Sequence, residues 1–334
     1  MKIGIITVYD AVNYGSFLQA YCLQKTLNSM GDNDVTMIKD SSFLYEKWRL
    51  TSLISYVPDK IKFKSKLATG YLKGWKCFKS TRKKTGYDLI IVGSDEMWEV
   101  NNITMLPRPS FFGVGIGAKK LVTYAVSSNT TTTEDVMKYP EFIEGLKKFD
   151  MVSVRDRSTY NAYSGFVKNI SYCIDPTLLC DLNEIADFGI HRENYILCYT
   201  YTFEPYMIEG AQNLAKKYNK KLIVVGQNFK WADEAIPANA FEFLGLIKKA
   251  DFVITDTFHG TVLSIGLNRP FVSYAYKEKV KRILEQFELQ NRNGVGCGKL
   301  DNFYDEEIDY KKVNESILQE RNVSLDYLKK CLSL

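Results

Sequence analysis

Short apolar runs alternate with helical patterns along almost the whole chain, and this alternation is the strongest constraint on its fold. A run over 2–8 is followed by a helical face of apolar residues over 16–29. Apolar runs of this length are typical of parallel strands that are buried on both faces. The alternation therefore predicts an α/β protein with parallel sheets and helices on both faces of each sheet.

The pattern forms two series, separated by a polar stretch over 181–194. We expect two Rossmann-like domains of the GT-B-like type facing a cleft, at 1–185 and 190–305, and a helical tail at 306–334. Ligand-binding loops would lie at the carboxyl ends of the strands. Strands are predicted at 2–8, 34–38, 88–93, 120–126, 151–154, 170–174, 195–199, 221–225, 251–254 and 271–274, and helices at 16–29, 136–148, 157–165, 207–218, 240–249, 260–267 and 278–289.

Composition is that of a soluble globular protein, with 334 residues, 46% hydrophobic and 25% charged. The N-terminus lacks the long apolar run of a signal peptide, and no stretch is apolar enough to span a bilayer. The seven cysteines are scattered and form no Cys-x-x-Cys pair, which favours reduced thiols over disulfides or a metal site. We therefore predict a cytoplasmic protein without a metal.

Positive charge is concentrated in one segment. Residues 58–86 carry a net charge of +9, whereas the rest of the chain carries −4. Within this segment, treated as an insertion in the N-terminal domain, Phe63, Leu67 and Tyr71 recur at helical spacing among the lysines. Such a helix can lie on an anionic membrane surface, or can pack on the N-terminal domain with its lysines in water. No nucleic-acid-binding motif accompanies the charge.

The first candidate site is the turn between the first strand and the first helix. Asn13, Gly15 and Ser16 supply polar side chains and a flexible backbone there. Exposed N–H groups at such a turn can receive an anion, and an ordinary capped turn is the alternative. The segment contains neither a Gly-x-Gly-x-x-Gly nor a Gly-Lys-Ser/Thr sequence, so nucleotide-binding fingerprints are excluded.

Two further candidates stand at predicted strand ends. Asp95 follows the run 88–93 and can act as a base or bind sugar hydroxyls; alternatively it caps the next turn, with Trp98 in the core. Arg155 follows the run 151–154 and can clamp a phosphate or carboxylate. A buried ion pair with Asp156 or another neighbour is the alternative for Arg155.

The fourth candidate contains His259, one of only two histidines in the chain. It follows the apolar run 251–254, beside Gly260 and before a helix predicted to begin near Thr261. The positive end of a helix dipole and an adjacent glycine favour binding of an anion there, although a structural histidine is the alternative. The other histidine, His191, lies in the polar linker and is predicted to be exposed.

Four motifs in order resemble the polysaccharide pyruvyl transferase family, over a region from Lys2 to about Leu289. They are Asn13-Tyr-Gly-Ser16 with Leu18-Gln-Ala-Tyr21, Val92-Gly-Ser-Asp95 with Trp98, Ser153-Val-Arg-Asp156, and Thr255-Asp-Thr-Phe-His-Gly260. The resemblance implies a GT-B-like fold and transfer of a pyruvyl group from phosphoenolpyruvate to a sugar, giving a pyruvate ketal.

The resemblance implies that Arg155 and His259 bind phosphoenolpyruvate, with Thr257, Phe258 and Gly260 beside them. Asp95 is our candidate for the base that activates the acceptor, and no cofactor beyond the donor is expected. The acceptor would be a cell-surface polysaccharide, an exopolysaccharide for example, or its lipid-linked oligosaccharide precursor, at the inner face of the cell membrane.

The chain departs from the family pattern at two motifs. Thr257 stands where some members carry arginine, and Glu96 stands where glutamine is usual. These departures keep two alternatives open. One is a nucleotide-sugar glycosyltransferase of the same fold, and the other is a non-catalytic glycan-binding homologue.

Overall fold

The computed structural model describes residues 1–41, 43–52, 54, 58–102, 107–187 and 189–334. Residue 188, within the predicted linker 181–194, lies outside the described residues. The strands of the described part are β1 (Lys2–Ile6), β2 (Asp34–Ile38), β3 (Ser80–Thr81), β4 (Thr85–Val92), β5 (Gly117–Thr123), β6 (Val152–Val154), β7 (Ile170–Tyr172), β8 (Tyr195–Tyr199), β9 (Lys221–Val225), β10 (Glu234–Ile236), β11 (Phe252–Thr255) and β12 (Phe271–Ser273).

Helices connect most of these strands. They are α1 (Tyr14–Ser29), α2 (Phe43–Ser52), α3 (Pro58–Gly74), α4 (Thr133–Met137), α5 (Pro140–Leu146), α6 (Arg157–Tyr163), α7 (Leu182–Ile185), α8 (Pro205–Lys217), α9 (Ala240–Lys249), α10 (Phe258–Gly266), α11 (Glu278–Gln286), α12 (Asp301–Asp305) and α13 (Tyr310–Leu332). By its contacts the chain divides into two compact units.

The first unit comprises Met1–Thr51, Trp75–Cys180 and Gln319–Leu334. Its five-stranded sheet has the order β3-β2-β1-β4-β5, and all of its neighbouring strands are parallel. Ile3 and Ile5 of the central strand are fully buried, as expected for a sheet with both faces covered. The strand order reverses between β1 and β4, so the loops after these two strands lie where α/β proteins commonly bind ligands.

A two-stranded parallel sheet, β6-β7, extends the first unit beside β5. Single bridges pair Val122 with Met151 and Val126 with Val154. The N–H of Arg155 donates to the Val126 carbonyl at 3.0 Å. The end of β6 is thereby brought to the same sheet edge as the ends of β4 and β5.

The second unit comprises Ser52–Gly74 and Asp181–Leu318. Its sheet has the order β10-β9-β8-β11-β12, again with parallel neighbours. Val224 and Val253 are fully buried in this sheet. The order reverses between β8 and β11, and the loop after β11 leads into α10.

Most predicted elements are present, and several have the predicted bounds, such as β8, β9 and α9. The helix predicted over 136–148 is instead two helices, α4 and α5. Pro140 begins α5, because proline lacks an N–H and suits the first turn of a helix better than its interior. The short strands β3 and β10 were not predicted.

Part of the basic segment differs from its predicted place. The structure assigns Ser52–Gly74 to the second unit, whereas the rest of the predicted insertion, 75–86, belongs to the first unit as expected. Phe63, Leu67 and Tyr71 are buried there, and a Cβ built on Gly70 would lie 3.1 Å from Cβ of Asn239. The amphipathic spacing identifies the buried face of α3 correctly, but it does not identify the unit against which this face packs.

The helical tail predicted over 306–334 is present as α13, but the contacts divide this helix between the two units. The part of α13 up to Leu318 belongs to the second unit, and Gln319–Leu334 belongs to the first. Across the described residues, no helix has the length and apolar character needed to cross a membrane.

Candidate functional site

Asn13 and Ser16 connect the first helix to the end of β4. The Asn13 side chain accepts a 3.0 Å hydrogen bond from the Ser16 N–H and caps α1, which begins at Tyr14, two residues before its predicted start. The Ser16 hydroxyl donates to Oδ2 of Asp95 at 2.6 Å. Capping by Asn13 is therefore present, and it fixes the first turn, including Gly15 and Ser16, against the Asp95 carboxylate.

The backbone conformation just before Asp95 requires a glycine at position 93. Gly93 has φ 129°, and a Cβ there would lie 2.2 Å from the Tyr124 carbonyl oxygen. Asp95 itself has φ 78°, a conformation in which aspartate is one of the more tolerated residues. Its Oδ1 accepts from the Glu96 N–H at 2.9 Å, and its side chain belongs to a half-buried residue. The carboxylate is therefore oriented while remaining partly accessible.

Trp98, three residues later, is part of the core. Its side chain is fully buried, and its Nε1 donates to the Phe111 carbonyl at 2.8 Å. Its ring lies 4.6 Å from that of Tyr163, centroid to centroid. Trp98 is therefore a core residue, which is the alternative considered for this motif.

Arg155 forms a buried ion pair. Its Nη1 lies 2.6 Å from Oδ2 of Asp175, with side chains exposed by 5% and 0%. Burial lowers the pKa of Arg155, but the carboxylates of Asp175, Asp95 and Asp156 outweigh this effect and raise it. The guanidinium is therefore charged and surrounded by negative groups, which reduces its attraction for a further anion.

The ion-pair partner of Arg155 was not identified from the sequence. Asp175 also accepts from the N–H and hydroxyl of Thr177, at 3.0 and 2.7 Å. In the sequence, the alternation of strands and helices pauses at Asp175-Pro-Thr177, just after β7. This pause is the feature that could have pointed to Asp175. Asp156, the partner considered from the sequence, instead caps α6 by accepting from the Thr159 N–H at 2.8 Å.

In the second unit, Thr257 and not Thr261 marks the start of the helix. Thr257 is the N-cap of α10, and its hydroxyl accepts from the Gly260 N–H at 2.8 Å. The helix predicted at 260–267 therefore begins earlier, at Phe258. His259 consequently lies in the first helical turn, where the positive end of the dipole is strongest.

Gly260 has a packing role. A Cβ on it would lie 2.1 Å from Oγ1 of Thr255 and 2.6 Å from Oγ1 of Thr257. The two threonine hydroxyls are themselves 3.0 Å apart. Position 260 therefore requires glycine because the end of β11 lies so close to it. The Gly260 N–H is already hydrogen-bonded within the helix cap.

His259 is half-buried, and its ring meets the Phe258 ring edge-on at 5.1 Å between centroids. The neighbouring strand ends contribute residues that sequence reasoning missed. Tyr201 follows β8 and Tyr276 follows β12, and they are 52% and 42% exposed. Because β11 lies between β8 and β12, both tyrosines belong to the same sheet edge as His259. In the sequence, Tyr201 and Tyr276 each stand two residues after a buried tyrosine, Tyr199 or Tyr274. This spacing is the feature that could have identified them.

Asp256 ties the ends of β8 and β11 together. Its carboxylate accepts from the N–H groups of Tyr201 and Thr202, at 3.0 and 2.8 Å. Burial raises the pKa of Asp256, although these backbone donors oppose the effect. His191, predicted to be exposed, is exposed. Among the described residues, no group of three His, Cys, Asp or Glu side chains is arranged to hold a metal ion.

The family model for polysaccharide pyruvyl transferase matches residues 13–278, about four-fifths of the chain. The chain belongs to the polysaccharide pyruvyl transferase family. The match contains the predicted site residues of both units, from Asn13 to Gly260. Family membership supports transfer of a pyruvyl group to a polysaccharide.

Solved structures agree with the predicted fold. The UDP-GlcNAc 2-epimerase from Neisseria meningitidis, bound to UDP-GlcNAc, matches with TM-score 0.54 and 10% identity over 99% of each chain. A putative UDP-N-acetylglucosamine 2-epimerase from Listeria monocytogenes matches with TM-score 0.53 and 11% identity, over 96% of this chain and 90% of that one. At such identities the likeness shows the fold alone, and the α/β, GT-B-like prediction is confirmed. No curated protein sequence matches the chain.

Proposed function

We propose that this protein transfers a pyruvyl group from phosphoenolpyruvate to two hydroxyls of one sugar, releasing phosphate and forming a pyruvate ketal. The family match over residues 13–278 is the observation that carries the proposal. The acceptor is a cell-surface polysaccharide or its lipid-linked precursor, and the reaction takes place in the cytoplasm. The donor is the only cosubstrate, so a chelator should leave the rate unchanged.

The donor phosphate is held by His259 and the positive end of α10. Phosphoenolpyruvate carries a phosphate and a carboxylate, so it is attracted to a helix N-terminus. His259 in the first turn lies where a protonated imidazole can donate to the phosphate. Thr257 and Gly260 support this position through the helix cap, and the Phe258 ring supports it through its edge-on contact with the imidazole. The same imidazolium can protonate the donor methylene carbon or assist departure of phosphate.

The ketal forms by two successive additions at C2 of the donor. A proton adds to the methylene carbon and makes it a methyl group, leaving an oxocarbenium-like centre at C2. One acceptor hydroxyl adds to C2 and loses its proton, and the C2–O bond to phosphate breaks. The second hydroxyl then adds to C2 and loses its proton, which closes the ketal.

Asp95 is the proposed base for the acceptor hydroxyls. Its carboxylate is oriented by Ser16 at 2.6 Å and by the Glu96 N–H at 2.9 Å, and it is partly exposed. A base held in place in this way contributes about 10²–10⁴-fold to a rate. Arg155, predicted as a donor ligand, is assigned a positioning role here. Its ion pair with Asp175 fixes the end of β6 beside Asp95.

A direct test measures phosphate release from phosphoenolpyruvate in the presence of pyranosides that carry two free hydroxyls. Acceptor-dependent release, with a ketal-linked pyruvyl group found on the sugar by mass spectrometry, supports the proposal. Hydrolysis without an acceptor product, or no reaction with any glycan, would count against it and favour a glycan-binding homologue.

A nucleotide-sugar glycosyltransferase is the second candidate, because a structural neighbour of this fold is bound to UDP-GlcNAc. Thermal denaturation separates the two functions. Stabilisation by phosphoenolpyruvate, and not by UDP-GlcNAc, is the expected result. Stabilisation by UDP-GlcNAc alone would favour glycosyl transfer.

A further inference from the structure

The orientation of the basic helix α3 is fixed by its buried face. Phe63, Leu67 and Tyr71 are 9%, 3% and 3% exposed, and they lie on one side of the helix. Gly70 on that side packs against Asn239, the residue that caps α9. The packing of α3 in the second unit therefore leaves the opposite face of this helix exposed to solvent.

The outward face carries two exposed aliphatic side chains. Ile61 and Leu72 are each 51% exposed. They are eleven residues apart, about three helical turns, so they lie on the same side of the helix. Ser65 and Thr69, also exposed, lie between them along this side. Two aliphatic side chains, with polar residues between them, thus project from the solvent side of a helix that already buries another face.

Lysines lie along one side of these two aliphatic residues. Lys62, Lys66 and Lys73 are exposed and project about a third of a turn from Ile61. Lys60, also exposed, lies near the start of the helix, on the side of buried Leu67 and Tyr71. Among the described residues, no carboxylate pairs with any of these four lysines. Lysines of the first unit differ, since Lys119, Lys138 and Lys147 are paired with Asp88, Asp135 and Glu144.

We infer that the outward face of α3 docks on an anionic lipid bilayer, with Ile61 and Leu72 entering the headgroup region beside Lys62, Lys66 and Lys73. Aliphatic side chains beside a row of cations match a bilayer surface, where apolar chains insert and ammonium groups meet phosphates. Nucleic acid or an acidic protein would match the charge but not the exposed aliphatic side chains. The inference depends on α3 alone and is independent of the pyruvyl transfer proposed above.

Vesicle flotation with the full chain tests this inference. Wild type should float with phosphatidylglycerol-rich vesicles and not with phosphatidylcholine vesicles, and added salt should weaken the association. Each surface lysine contributes about fivefold to such binding, so Lys62→Gln/Lys66→Gln/Lys73→Gln should lose about 100-fold. Ile61→Ser/Leu72→Ser should also bind more weakly, although its charge is unchanged.

A matched control removes the same charge elsewhere. Lys119→Gln/Lys138→Gln/Lys147→Gln alters three exposed lysines of the first unit and should float like wild type. Circular dichroism melting of every variant confirms folding. Equal loss in the control would show that net charge alone governs binding, and would overturn the inference. Failure of wild type to bind anionic vesicles, or full binding by Ile61→Ser/Leu72→Ser, would also overturn it.

Discussion

The Ser16 hydroxyl donates a 2.6 Å hydrogen bond to Oδ2 of Asp95, joining two motifs that are 79 residues apart in the chain. This contact lies where the strand order of the first sheet reverses, between β1 and β4. The half-buried carboxylate is thereby oriented at the position where α/β folds most often bind ligands. This carboxylate is the base that we propose for the acceptor hydroxyls.

Replacement of Asp95 should therefore affect the chemical step. We predict that Asp95→Asn lowers kcat by about 10²–10⁴-fold, because an amide cannot accept the hydroxyl proton. Ser16→Ala should have a smaller effect, since it loosens the carboxylate without removing it. Steady-state phosphate release measures both. Asp88→Asn, at a half-buried carboxylate of the same strand, is the control and should retain full activity. An active Asp95→Asn enzyme would exclude Asp95 as the base.

Arg155 should act mainly through stability. Arg155→Met leaves Asp175 buried without its charge partner, which costs about 3–5 kcal/mol of unfolding free energy. In the double variant Arg155→Met/Asp175→Asn, part of this loss should be recovered. Urea denaturation measures the free energies, and calorimetry measures the affinity for phosphoenolpyruvate. Unchanged stability together with lost affinity would instead make Arg155 a direct donor ligand.

Gly260 should be needed for packing at the start of α10. A methyl group 2.1 Å from the Thr255 hydroxyl must displace the strand end or the helix cap. We predict that Gly260→Ala lowers the free energy of unfolding by about 1–3 kcal/mol. Gly165→Ala, where no atom lies within 4 Å of the added Cβ, is the control. Equal stability of the two variants in urea would contradict this packing argument.

Glu99 should give the protein a measurable acid dependence. It accepts from the N–H groups of Asn129 and Thr130, each at 2.6 Å. Burial raises the pKa of Glu99, but these donors outweigh it and leave the pKa lowered. A lowered folded-state pKa gives stability above the unfolded-state pKa that is lost as pH falls through the folded-state value.

Glu99→Gln should therefore destabilise the protein at neutral pH, by about 1–3 kcal/mol. The difference from wild type should begin to shrink as the pH falls below the ordinary glutamate pKa of about 4.3, and should be lost once the pH falls below the lowered folded-state pKa. Urea denaturation at neutral and acidic pH gives both values. A difference that stays constant with pH would show that the charge of Glu99 is not responsible.

The sequence predicted the sheets better than the site. Buried strands such as β8 and β9 are continuous apolar runs, so their bounds follow from composition alone. The predicted helix starts are too late at α1 and α10. At α1 a cap by Asn13 is only the alternative to anion binding, and at α10 Thr257 is treated as a ligand-binding residue and not as a cap. Both caps depend on local hydrogen bonds that the residue types permit but do not require.

Long-range partners account for the remaining differences. Arg155 and Asp175 are twenty residues apart and meet only because β6 and β7 pair. The amphipathic spacing of α3 fixed which face is buried, whereas its assignment to the second unit depends on contacts such as that between Gly70 and Asn239. Neither relationship can be read from one segment considered alone.

The two histidines offer the most direct test of the central claim. His259 lies in the first turn of α10, whereas His191 is exposed in the linker. Acceptor-dependent phosphate release from phosphoenolpyruvate should be lost in His259→Asn and unchanged in His191→Asn, with similar melting temperatures for both variants. Wild-type turnover by a folded His259→Asn variant would contradict the proposed mechanism.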